Sequence, residues 1–90
     1  MISKKNDTEI PNDKAVPIKS IEQGKTVVVK RIDSGHQMKH RLAEMGIIPG
    51  EEIDVVKNET GFPVIIRVKE TKLMLGKGMC GKIMVSEEDE

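Results

Sequence analysis

The run Arg41-Leu42-Ala43-Glu44-Met45-Gly46-Ile47-Ile48-Pro49-Gly50 constrains this chain most, because it dictates where a helix stops and a strand begins. Upstream, Ser34 with Gln37 three residues later has the form of a capping box, which predicts a helix starting near Ser34. Met38, Leu42 and Met45 fall at i, i+4 and i+7 and share one apolar face. Gly46 supplies the positive φ that ends a helix, and Ile47 can fold back on Leu42 as in a Schellman motif. Ile48-Pro49-Gly50-Glu51 has the form of a type II turn, proline fixing φ and glycine taking the left-handed position. A strand follows from about Glu52.

The rest of the chain reads as short strands. Residues 25–32 are rich in valine and form the first, with Val27 and Val29 on one face and Val28, Lys30 and Ile32 on the other. Residues 52–57 set Ile53 and Val55 against Asp54 and Val56. Residues 58–61 form a hairpin loop in which Gly61 takes positive φ. In residues 64–68, Val64, Ile66 and Val68 share a face. A turn over 69–72 leads to Leu73 and Leu75. Gly76, Gly78 and Gly81 then crowd a tight 3₁₀ or bulged corner before residues 82–85 close the sheet. Five strands with one helix after the first predict a mainly β fold, a small barrel, since a bent sheet removes exposed edges. Residues 1–17 are polar and broken by Pro11 and Pro17, so they read as a disordered arm whose end, residues 15–18, can dock at an edge. Residues 18–24 make a half-helical lead-in with Ile18 and Ile21 inward. Residues 18–86 form the domain and 87–90 an acidic tail.

Composition narrows the chemistry. One Phe, no Trp and no Tyr leave the core to aliphatic side chains and remove the aromatic platforms on which bases stack. Net charge is zero, with eleven Lys/Arg against seven Asp/Glu in residues 25–82 offset by the acidic end. A single cysteine, Cys80, excludes an intramolecular disulfide and suits a reducing compartment. There is no apolar run of signal-peptide or membrane-spanning length, and a cytoplasmic location is expected.

Four classes of site are weighed against plain structural roles. His36, His40 and Glu44 at i, i+4 and i+8, with Cys80 as a soft ligand, could hold a transition metal. The competing reading makes the histidines an ordinary exposed face and Cys80 a small buried hydrophobe. Ser34, His36 and Cys80 lack partners at catalytic spacing, and Gly76-Lys77-Gly78 is too short to cradle phosphates, so no enzyme is expected. Lys30, Arg31, Lys39, His40 and Arg41 could make a basic patch, but the neutral net charge argues against nucleic acid. Protein binding fits best. Met38, Met45, Met74 and Met79 could line an adaptable groove, or Met38 and Met45 could plug the core, and Phe62-Pro63 caps a hairpin tip as a lid or an anchor.

Arg41-Leu42-x-Glu44-Met45-Gly46-Ile47-x-Pro49-Gly50 resembles the signature of the FeoA family. Leu73-x-Leu75-Gly76-x-Gly78-Met79 and Lys82-Ile83-x-Val85 resemble the family's closing strands. The resemblance runs from about Ile18 to Ser86 and implies an SH3-like barrel with a helix inserted after the first strand. It implies a non-enzymatic, cytoplasmic accessory of ferrous-iron uptake acting on the cytosolic portion of FeoB, a membrane permease. The expected partner surface is Arg41, Leu42, Glu44, Met45, Gly46, Ile47, Pro49 and Gly50 together with Phe62 and Pro63. Weak association with Fe(II) or another divalent transition metal is left open, as is self-association. A metal-sensing module and a small nucleic-acid-binding barrel are the alternatives. The long arm and Cys80 depart from the family pattern.

Overall fold

Branched side chains at every second position draw the chain into strands, and the glycines between them set the corners. The computed structural model describes residues 14–87. In chain order it contains β1 (Val16–Pro17), a 3₁₀ turn (Ile18–Ser20), β2 (Thr26–Ile32), α1 (His36–Glu44) and β3 (Glu52–Lys57). There follow β4 (Val64–Val68), β5 (Thr71–Leu75), the single helical turn α2 (Lys77–Cys80) and β6 (Ile83–Ser86). The strands make one antiparallel sheet in the order β1-β6-β2-β3-β4-β5.

The core is aliphatic and continuous. Val27 and Val29 of β2, Ile53 and Val55 of β3, and Val64, Ile66 and Val68 of β4 are buried with Leu75, Ile83 and Val85. Ile18, Ile21, Leu42, Ile47 and Cys80 close its ends, and among the described residues no polar or charged side chain is buried. A flat six-stranded sheet would leave most of its inner face wet under a nine-residue helix. This inner face is dry, so the sheet curls over itself, although its ladder runs in a line from β1 to β5 and does not close into a ring. The fold is mainly β and SH3-like, with one short helix between β2 and β3.

Three details depart from the sequence reading, whereas the docking of residues 15–18 at a sheet edge is met by β1. Strands number six among the described residues, because Val16 and Pro17 pair with Val85 and Met84 at the sheet edge. Ordered pairing thus reaches into the last residues of the expected arm, of which residues 1–13 lie outside the described residues. Ile32 is buried with Val27 and Val29 and not opposite them, because the β2–β6 register shifts between Val29 and Arg31. One extra residue there, Lys30, reverses the alternation. Finally, β5 starts at Thr71, two residues early, since Lys69 takes φ 55° and closes a two-residue loop without glycine.

Candidate functional site

α1 begins later than the capping box predicted. Gly35 occupies the N-cap position with no side-chain cap bond, and the Ser34 hydroxyl lies 3.4 Å from the Gly35 carbonyl. The N-cap position falls on Gly35, which has no side chain to accept from the first turn's N–H groups, and Ser34 stands one residue too early to do so. The C-terminus follows the sequence closely. Ile47 N–H donates to Leu42 O at 2.9 Å and Gly46 N–H to Ala43 O at 2.9 Å, the paired bonds of a Schellman motif, with Gly46 at φ 91°. Glu51 N–H donates to Ile48 O at 3.1 Å around Gly50 at φ 94°, which completes the type II turn. Gly50 N–H then donates to Val29 O at 2.8 Å, and Glu51 O accepts from Val29 N–H, so the corner is stitched to β2.

This corner sorts the expected partner residues into two groups. Leu42 and Ile47 are fully buried and Gly46 is half-buried against Val68, so these three hold the corner and present nothing to a partner. Arg41, Glu44, Met45, Pro49 and Gly50 are exposed. Ile48, absent from the expected set, is 44% exposed and Met45 37%. The signal for Ile48 was present: after a helix stop only one of two adjacent isoleucines can turn inward. Beside the corner runs a groove of ≈ 410 Å³ whose floor includes Ala43, Ile48 and Pro49 and whose rim carries Lys39 and the Arg31–Asp33 ion pair at 2.8 Å.

Phe62 and Pro63 do not join this surface. Gly46 packs on Val68 at one end of β4, whereas Phe62-Pro63 precede Val64 at the other, roughly 13 Å along the strand. They border a separate groove of ≈ 380 Å³ with Lys57, Glu59, Ile65 and Met74. Phe62 is 61% exposed, so it is not a lid on the core. The methionines divide likewise, Met38 and Met79 packing on the core and Met45 and Met74 facing out.

The four candidate metal ligands are not brought together. Cys80 is fully buried, its thiol faces Leu75 O at 3.8 Å, and burial pushes it up to about 11 with only slight relief from Lys77. A thiol so held is a poor source of thiolate. His36 and His40 border one shallow concavity with Gln37 and Arg41, and His40 Nδ1 lies 3.6 Å from Glu44 Oε2. Among the described residues no three His, Cys, Asp or Glu side chains are grouped to hold one ion. Of the basic patch, Arg31 pairs with Asp33 and His40 with Glu44, and Lys39 and Arg41 are exposed.

Residues 16–87 match the FeoA domain. Over 73 residues the chain is 38% identical to a protein of Methanocaldococcus jannaschii provisionally named Fe(2+) transport protein A, covering 81% of this chain and 88% of that one. Among solved structures, an iron uptake regulatory protein (FeoA) is 32% identical with a TM-score of 0.78, covering 82% of this chain and 99% of the other. A FeoA-like protein from Clostridium acetobutylicum is 26% identical with a TM-score of 0.74, covering 86% and 91%. The matched span takes in every strand and the α1–β3 corner, and the chain belongs to the FeoA domain family.

Proposed function

We propose that this protein is a non-catalytic accessory of ferrous-iron transport that binds the cytosolic portion of a FeoB-like permease through the α1–β3 corner. Family membership and the relative named for Fe(2+) transport support the transport setting. The observation that carries the choice of surface is the exposure of Met45 and Ile48 on a backbone locked by the Schellman and type II turns. A corner whose backbone is already fixed adds little backbone-ordering cost when a partner covers its apolar side chains. Arg41 and Glu44 supply polar specificity at the rim, and Pro49 supplies shape. Leu42, Gly46 and Ile47 act from beneath by fixing the corner.

The test is an amide-shift titration of the isotope-labelled protein with the cytosolic portion of the permease from the same organism. Saturable shifts should centre on residues 41–51. Arg41→Glu should weaken binding by about tenfold or more, since a reversed rim charge meets its complement with the wrong sign. The same change should alter stability by less than about 1 kcal/mol, because it touches only an exposed residue near a helix C-terminus. Shifts confined to Phe62, Ile65 and Met74, or an unchanged affinity for Arg41→Glu, would reject the corner as the surface.

A further inference from the structure

We infer that His36 and His40 form a two-imidazole site on the outer face of α1 for a late first-row divalent ion, copper(II), nickel(II) or zinc(II). The chain has only two histidines, and both lie inside one helix four residues apart. α1 is regular from its first residue, with Lys39 N–H donating to Gly35 O at 3.1 Å, so the i, i+4 relation holds for His36. Side chains in that relation are neighbours one turn apart, with Cβ atoms roughly 5–6 Å from each other. Both rings border the same concavity of ≈ 360 Å³. Both residues are exposed, so an ion can keep water at its remaining positions and no core must open to admit it.

Glu44 adds the second element of such a site. Its carboxylate lies 3.6 Å from His40 Nδ1. That is just beyond hydrogen-bond length. A small rotation on metal binding would let the carboxylate accept from Nδ1–H, orienting the imidazole and leaving the Nε2 lone pair for the metal. Arg41 at the same concavity acts the other way, and its charge holds affinity below that of a closed site. Ligand type selects the ion. Two imidazoles without a thiolate bind along the series iron(II) < nickel(II) < copper(II) > zinc(II), which leaves ferrous iron the weakest of these occupants. Cys80, buried with its thiol protonated at neutral pH, does not compete for the softer ions. With two protein ligands the site is open and exchangeable, unlike a four-ligand structural centre.

The test uses the full chain and no permease, so it stands or falls apart from the proposed transport role. Isotope-labelled protein is titrated with nickel(II), followed by amide broadening and by calorimetry, and the titration is repeated anaerobically with iron(II). Broadening should centre on residues 36–44 with one ion per chain, and iron(II) should bind more weakly. His36→Ala and His40→Ala should each weaken nickel(II) binding by about tenfold or more by breaking the chelate, and Glu44→Gln should weaken it by about tenfold, the low end for an orienting carboxylate. The substituted side chains are exposed, and superimposable amide spectra away from α1 would verify the fold. Broadening centred elsewhere, such as on the acidic residues 87–90, would overturn the assignment. So would a single-histidine variant that binds nickel(II) as tightly as the parent.

Discussion

Asn58, the first residue after β3, ties the loop to the start of the domain. Its side-chain amide donates to Lys19 O at 2.9 Å and Ile21 O at 2.7 Å, and its backbone N–H donates to Gln23 Oε1 at 2.8 Å. A two-hydrogen donor is required, because both side-chain partners are carbonyls. Asn58→Ala should lower stability by about 1–3 kcal/mol in denaturant titration, the worth of two hydrogen bonds. Asn58→Asp should cost more, since a carboxylate would face two carbonyl oxygens and could donate to neither. An aspartate variant as stable as the parent would show that the amide is not what holds the lead-in. Sequence reading placed Asn58 in a hairpin loop, which it is. It could not supply the partners 37 and 39 positions away.

At the scale of elements, the α1–β3 corner shows which local signals survive folding. Gly46 was legible because ending a helix in a left-handed residue is a backbone requirement independent of context. The structure adds a second constraint: a Cβ on Gly46 would lie 3.3 Å from Val68 Cγ1. Gly46→Ala should therefore cost about 1–2 kcal/mol from the left-handed backbone alone, plus whatever the Val68 contact exacts. Gly24 has φ 95° with nothing within 4 Å of such a Cβ, so Gly24→Ala should cost only the backbone part. Equal losses in thermal or chemical unfolding would mean that the α1–β4 contact is slack. The capping box failed for a complementary reason. Capping depends on which residue the chain places at the N-cap, and that position is taken by Gly35 and not by Ser34. The β2 bulge was equally hidden, since one added residue leaves no mark on an unbroken valine-rich run.

Cys80 connects site chemistry to the stability of the whole domain. Its thiol is held protonated in the core, up to about 11, whereas in an unfolded chain it ionises at its ordinary value near 9. Between those values the unfolded state carries fewer protons than the folded one, so rising pH favours unfolding. The contribution is intact below about pH 9 and should be lost progressively towards pH 11, on the order of 3 kcal/mol in all. Unfolding free energies across pH 8–11 for the parent and for Cys80→Ala should diverge in slope by that amount. Parallel curves would place the thiol in contact with solvent. Alkylating reagents near pH 8 should likewise modify the native protein only as fast as it opens.

The sequence by itself determined the elements whose causes are local. These are the helix stop at Gly46, the turn at Pro49-Gly50, the shared faces of Val27 with Val29, Ile53 with Val55, and Val64 with Ile66 and Val68, and the family signature they carry. Tertiary structure alone decided which of those residues stay exposed. Leu42 and Ile47 vanish beneath the corner because the curled sheet needs a plug, and Ile48 is left outside because Ile47 has taken that place. It also separated Phe62-Pro63 from the corner by the length of β4, buried Cys80 away from the histidines, and chose β6 as the strand on which β1 docks. Each of these depends on what lies across space from a residue, and a backbone period along the chain carries no record of that.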